Sequence, residues 1–400
     1  MNAKTRHEKV YGILRILIGP YIKHRFRYEC PDIADDEKDA CIIMANHNME
    51  LDPVLLGIAF RRHMYFVASE HLTRKGLASK ILMYLFRPII RTKGKIEVRT
   101  VSEILRTVRG GSNVCIFAEG NRSFNGRTGE ILQSTGKLAQ KSGAALITFR
   151  IEGGYFTQPR WSTTLRRGRM RGFVAGRYSP EELKGMSAGE INEIICRDLY
   201  EDAYETQKRE HIPFKGKKLA LGMESTLFAC PQCGSIGTLK SDNEKIRCSC
   251  GYEAEYTEYG ELKDCGGIFK TITEWDAWQR EYLKSRVASA ADGADDCCRS
   301  NEEKAALFGD DILLYEVNSC HKISKKYRGY MSAHMDGLKI CGHMLKYRAI
   351  LGMSVFSRNC MVINTDGEVK QFEVRGDLRF CALKYLYLYE ILNENGRGRQ

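Results

Sequence analysis

Across residues 39–177 short apolar runs alternate with stretches of helical period, and this alternation limits the fold more than any other feature of the 400 residues. CIIMAN (41–46), MYFVAS (64–69), NVCIFAEG (113–120) and AALITFRIEG (144–153) are apolar runs of strand length. Between them VLLGIAF, GLASKILMYLF, VRTVSEILRTVRGG and STGKLAQKSG repeat their apolar residues at helical spacing. Buried strands separated by helices predict an α/β domain, a mostly parallel sheet flanked by helices. In such sheets functional groups collect at strand ends and in the loops that follow. Two such loops carry ionisable residues: NHNMELDP (46–53) and FAEGNRSFNG (117–126).

NHNMELDP has two local interpretations. Asp52 before Pro53 and an apolar run has the form of a helix start, with Asp at the N-cap and Pro at the first helical position. His47 is then an ordinary loop residue. Alternatively His47 and Asp52 form a proton-transfer pair. The second loop sets a carboxylate, two glycines, an arginine and a serine behind a buried strand. Glycines let backbone amides approach a phosphate, and Arg122 offers a two-pronged donor for one.

Together the loops resemble the glycerolipid acyltransferase family, of the 1-acylglycerol-3-phosphate type. NHNMELD fits that family's HX4D block. KGKIEVR (93–99) resembles its second block, and FAEGNRS its third, with Ala118 where proline and Asn121 where threonine are usual. LITFRIEGG (146–154) occupies the fourth position without its usual proline. The resemblance covers roughly residues 40–160. It implies His47 as general base and Asp52 as the carboxylate that orients it. Imidazole, with an ordinary pKa of about 6.5, suits proton removal from a glycerol hydroxyl attacking a thioester. It further implies Arg99, Glu119, Gly120, Arg122 and Ser123 as acceptor-binding residues, with Arg122 on the phosphate. Backbone amides near His47 are expected to stabilise the oxyanion. It implies a lysophospholipid as acceptor and acyl-CoA or acyl-carrier protein as donor.

Charge agrees with an anionic surface as partner. Residues 1–220 hold 38 Lys and Arg against 24 Asp and Glu, whereas residues 221–400 hold 24 against 26. PRWSTTLRRGRMRGFVAGR (159–177) concentrates arginines in an alternating pattern that fits a β-hairpin with one charged face. The first 27 residues have an apolar centre broken by Arg15 and Pro20, flanked by Lys and Arg. The interrupted apolar centre is too short to span a bilayer and the segment lacks a cleavage site, so an amphipathic helix on a membrane surface and an ordinary packing helix both remain open. A cytoplasmic protein, peripheral on the membrane, is expected. Nucleic acid is not, because no aromatic stacking pattern or reader motif accompanies the basic residues.

Fifteen cysteines point to a reducing compartment and to metal rather than disulfides. Cys230, Cys233, Cys248 and Cys250 form C-x2-C and C-x-C pairs, each followed by glycine, and resemble a zinc ribbon. Four thiolates leave no open position, so the zinc is structural. Cys265, Cys297 and Cys298 have no evident partner. The expected order is an acyltransferase-like domain (1–220), zinc ribbon (221–265), helix and linker (266–305), and a small β-rich domain with a C-terminal helix (306–400), resembling pleckstrin-homology-like modules. An inactive acyltransferase fold that binds nucleic acid or a protein through ribbon and basic face is the alternative. The ionisable residues of both loops and the near-neutral ribbon half favour the enzyme.

Overall fold

The computed structural model describes residues 3–33, 39–74, 76–92, 98–264, 266–291, 306–318, 322–367, 369, 371–377 and 379–397. Residues 93–97, Cys265, most of the Ala/Asp-rich linker, Cys297 and Cys298 lie outside these. The chain divides into two compact units, one of residues 1–160 and 164–216, the other of residues 161–163 and 217–400.

The first unit opens with α1 (Ala3–Phe26) and β1 (Tyr28–Glu29), then β2 (Cys41–Ala45), α2 (Asp52–Ala59), β3 (Met64–Ser69), α3 (Leu77–Phe86), β4 (Ile89–Arg91) and α4 (Val98–Arg109). It continues with β5 (Asn113–Phe117), α5 (Ser134–Ser142), β6 (Ala145–Glu152), α6 (Gly154–Thr157) and β7 (Met170–Tyr178). Helices α7 (Pro180–Lys184), α8 (Ala188–Leu199) and α9 (Ala203–Glu210) complete it. The strand order is β1-β7-β6-β2-β5-β3-β4. All pairings are parallel except β6 with β7. Strand β2 is buried on both faces. Cys41, Ile43 and Ala45 join one core with Leu55, Leu56 and Ala59 of α2, while Ile42 and Met44 join another with Ile104, Val108, Ile191 and Ile195. Side chains alternate across a strand, so a strand covered on both sides is apolar throughout.

Helix α1 runs on through Pro20, which is exposed. One local expectation is corrected. The arginine-rich segment 159–177 is not a hairpin. Its one strand, β7, pairs with β6, and Arg160 and Arg166 are buried rather than on a charged face. Among the described residues no helix is long and apolar enough to cross a membrane.

The second unit contains an antiparallel sheet of β8 (Leu239–Ser241), β9 (Lys245–Cys248), β10 (Glu253–Tyr256) and β11 (Leu262–Asp264), followed by α10 (Ile272–Ala291). A seven-stranded antiparallel sheet follows: β12 (Ala306–Val317), β13 (Ile323–His334), β14 (Gly337–Ile340), β15 (His343–Lys346), β16 (Ile350–Phe356), β17 (Cys360–Thr365) and β18 (Gln371–Arg375), in the order β15-β14-β13-β12-β18-β17-β16. Helix α11 (Ala382–Arg397) buries Leu383, Tyr385, Leu388 and Ile391.

Candidate active site

Strands β6, β2 and β5 are adjacent and parallel, with Ala45 level with both Phe117 and Phe149. Their C-terminal ends therefore deliver three loops to one place: residues 46–51, residues 118–129 and Gly153.

His47 stacks on Phe117 at 4.3 Å between ring centroids, 23° from parallel. Its Nδ1 lies 2.8 Å from Asp52 Oδ2. A carboxylate only accepts, so Nδ1 carries the proton, and a neutral ring then holds its lone pair on Nε2. Asp52 is fully buried. The same Oδ2 accepts from the amides of Asn48 at 2.7 Å and Met49 at 3.0 Å, while Oδ1 is buried without a hydrogen-bond partner among the described residues. The helix-cap expectation is thereby revised. Asp52 is the first residue of α2, the N-cap is Leu51, and no side chain caps the helix. Asp52 faces back along the chain, so one oxygen closes the loop and orients the imidazole.

The oxyanion expectation also changes. The amides of His47, Asn48, Met49 and Glu50 already have acceptors in Glu119, Asp52, Asp52 and Gln158.

Glu119 ties the two loops together. Its Oε1 accepts from the His47 amide at 2.7 Å and its Oε2 from the Gly129 amide at 2.6 Å. Burial pushes its carboxyl up to about 8, against the downward pull of those amides. Gly120 turns the chain at φ +69°, a backbone conformation that favours glycine, with Arg91 Nη2 close to where a Cβ would stand. Ser123 is buried. Its hydroxyl accepts from Gly126 N and donates to Arg127 O, and its amide donates to His47 O, so it closes the turn.

Arg122 is a desolvated cation. Its guanidinium is 11% exposed and lies 3.5 Å from the exposed carboxylate of Glu50. Burial lowers its pKa, and Nη1 is buried with no hydrogen-bond partner among the described residues. Glu50 and buried Asp52 offset that burial in part, and a buried arginine with no direct buried ion-pair partner is costly unless a ligand supplies one. Arg160, also buried, donates to Arg122 O and lies over Phe124. Arg99 is exposed in the first turn of α4, whereas Arg91, at the end of β4, donates to Gly120 O at 3.4 Å. Burial lowers the Arg91 pKa too, with Glu70 opposing. Sequence reasoning passed over Arg91. The signal available was its position at the end of an apolar stretch, FRPIIR, one strand away from β5 through β3.

The parallel sheet thus brings a histidine–carboxylate pair and two desolvated arginines together at its strand ends. Residues 25–152 match the family model described as Acyltransferase. It is similar to a 1-acyl-sn-glycerol-3-phosphate acyltransferase of Borreliella burgdorferi, 27% identical over 116 residues, covering 28% of this chain and 45% of that protein. The chain thus spans less than half the length of that curated relative. A solved structure, the 1-acyl-sn-glycerophosphate acyltransferase PlsC of Thermotoga maritima, aligns with a TM-score of 0.39 at 20% identity, over 50% of this chain and 81% of that one.

In the second unit the sulfur atoms of Cys230, Cys233, Cys248 and Cys250 all lie within 4.8 Å of one another. Cys230 and Cys250 are 3.7 Å apart, and Cys233 and Cys248 3.8 Å. Four sulfurs at about 2.3 Å from a tetrahedral zinc are roughly 3.8 Å apart, so the donor set and its spacing fit that ion. Gly234, at φ +70°, makes the first turn, and its amide donates to Cys230 O.

Proposed function

We propose that the chain moves a fatty acyl group from a thioester donor, acyl-CoA or acyl-carrier protein, to the free hydroxyl of a lysophospholipid, 1-acylglycerol-3-phosphate giving phosphatidate. The observation that carries this is the 2.8 Å bond from His47 Nδ1 to buried Asp52. Nε2 takes the hydroxyl proton as the oxygen attacks the thioester carbonyl. Asp52 holds the tautomer and stabilises the imidazolium. Collapse of the tetrahedral intermediate expels the thiolate, which recovers the proton from His47. Arg122, aided by Arg91, takes the acceptor's phosphate, and Glu119, Gly120 and Ser123 hold the loop that presents it. The direct test is mass spectrometry of products from a lysolipid panel offered with both donor types. Absence of any acylated product would end the proposal.

Arg122→Ala is expected to raise the acceptor KM at least about tenfold, since hydrogen bonds to charged groups contribute roughly 1.5–3 kcal/mol. Donor KM should stay unchanged. Steady-state kinetics in both substrates checks this, and an unchanged acceptor KM would move the phosphate elsewhere.

The acceptor is a lipid, and one face of the first unit supports a peripheral site on a cytoplasmic membrane surface. Ile13, Ile16, Leu17 and Tyr21 of α1 and Leu77, Ile81 and Tyr84 of α3 are exposed. The helices meet where Arg6 lies 3.8 Å over the Tyr84 ring. Lys23, His24 and Arg25 end α1 with positive charge, which suits anionic headgroups. Burying one such side chain is worth roughly 1.5–3 kcal/mol. The pair Ile16→Glu and Leu17→Glu should therefore lower binding to phosphatidylglycerol vesicles more than about 100-fold in a flotation assay, with circular dichroism unchanged.

In this proposal residues 1–220 carry the chemistry and residues 221–265 a structural zinc ribbon. Residues 266–305 link them to a pleckstrin-homology-like module (306–400), a reading supported by seven antiparallel strands followed by one helix.

A further inference from the structure

Asn46 and Asn48 flank His47, and one buried carboxylate holds both. Glu201 Oε2 accepts from Asn46 Nδ2 at 3.0 Å and from Asn48 Nδ2 at 2.5 Å, and Oε1 accepts from the Gly153 amide at 3.3 Å. Glu201 is 3% exposed. It lies between α8 and α9, some fifty residues beyond the 25–152 segment that matches the family. The asparagines are gripped from the other side by β6: Asn46 exchanges bonds with both Ile151 N and O, and Asn48 donates to Ile151 O. Glu201 is itself fixed to the arginine-bearing loop. Its amide donates to Thr128 Oγ1, and its carbonyl accepts from Thr128 N.

We propose that Glu201 is a positioning residue for His47, acting through Asn46 and Asn48 to hold the imidazole where Nε2 meets the acceptor hydroxyl. This rests on His47 being the base. The three groups that reach the Glu201 carboxylate are all N–H donors, an arrangement a carboxylate satisfies at both oxygens. Removing it leaves two buried asparagine amides short of an acceptor, one on each side of the histidine. Those amides must turn or recruit water, and either movement displaces the loop. Displacement of a reacting group by about 1 Å can cost about 100-fold in rate.

The test uses the whole 400-residue chain with lysophosphatidate and an acyl thioester. Glu201→Ala should lower kcat by about 30-fold or more while both KM values stay within about threefold. Glu201→Gln keeps a carbonyl for both asparagines, gives up only the longer 3.3 Å contact with the Gly153 amide, and should recover kcat to within about threefold of wild type. In an Asn46→Ala, Asn48→Ala background, Glu201→Ala should cost little further, because its route to His47 is gone. Should Glu201→Ala fail to fold, Asn48→Ala takes its place, with kcat lowered and both KM values unchanged, and Glu201→Gln keeps its role as the conservative variant. A second readout does not need acyl transfer: the rate at which diethylpyrocarbonate modifies His47, followed by peptide mass spectrometry. It should rise in Glu201→Ala and stay near wild type in Glu201→Gln. A folded Glu201→Ala protein with wild-type kcat and an unchanged His47 modification rate would overturn the proposal. So would a full additive loss in the double-asparagine background. If wild type transfers no acyl group, the acyltransfer proposal fails, and the modification rates still decide whether Glu201 orders His47.

Discussion

His47→Ala is expected to reduce acyl transfer by about a thousandfold or more with the fold intact. Positioned general bases contribute about 10²–10⁴-fold, and the carboxylates around His47 are already engaged. Glu119 is committed to two amides, Glu201 to two asparagines and Gly153, and Asp52 to three donors. The imidazole is partly exposed, so its loss leaves a water-accessible space rather than a sealed void. Circular dichroism and urea unfolding of the variant should therefore overlay wild type. Asp52→Asn is a sharper probe. It keeps the size of the side chain while replacing an acceptor of three N–H groups by one acceptor and one donor. The side-chain oxygen stays where the three N–H groups meet, so the amide nitrogen takes the buried, unpartnered Oδ1 position and the negative charge that steadies the imidazolium is gone. Turnover should fall about 10²–10⁴-fold, with some stability lost because the buried amide nitrogen has no acceptor. Wild-type turnover in purified His47→Ala would remove the base assignment altogether.

The strands that position this site were legible because a doubly covered sheet leaves a plain mark. Each of CIIMA, MYFVAS, NVCIF and ALITFRIE is an apolar run of strand length, and the glycines and caps between them set the boundaries. What the two loops do to each other was not legible. The family resemblance puts the Glu119 carboxylate on the substrate side, but its partners are backbone amides, and backbone amides carry no sequence signature. Asp52 before Pro53 has the form of a helix cap, and only the direction of its side chain separates a cap from a histidine partner. Arg91 and Arg99 both follow apolar residues, so spacing alone could not choose which reaches the Gly120 turn. Glu201 had no local signal at all. It is one acidic residue in a polar helical stretch, brought to His47 by the return of the chain after β7. The arginines of 159–177 mislead for a related reason. Their alternation suggests one charged face, while Arg160 and Arg166 lie before β7 and are buried by tertiary contacts.

A metal at the four cysteines should prove to be zinc, near one ion per chain by elemental mass spectrometry, and its removal should destabilise the second unit. Cys230 is fully buried and its neighbours are tied to the core behind it. The Phe228 amide donates to Gln279 Oε1 at 2.9 Å, and Trp275 Nε1 donates to Ala229 O at 2.9 Å, both on α10. Tyr252, two residues after Cys250, meets the Trp275 ring edge-on at 5.6 Å. The two cysteine turns thus grip the same helix from both pairs. Strands β8 to β11 are three or four residues long and enclose little apolar area of their own. Without the ion, nothing across the turns offsets four clustered sulfurs, and the turns are free to separate. Structural zinc contributes about 10–16 kcal/mol in isolated finger peptides. Here the α10 contacts share the task, so a loss of several kcal/mol is expected. At roughly 2–4 °C per kcal/mol for a unit of this size, Cys230→Ser should lower the unit's Tm by about 10 °C or more. Chelation of the wild type should reproduce that shift, and added zinc should reverse it. The first unit's unfolding, followed through acyl transfer, should respond less. Protein that contains no zinc when purified without chelator, with Cys230→Ser as stable as wild type, would reduce the cluster to four neighbouring thiols.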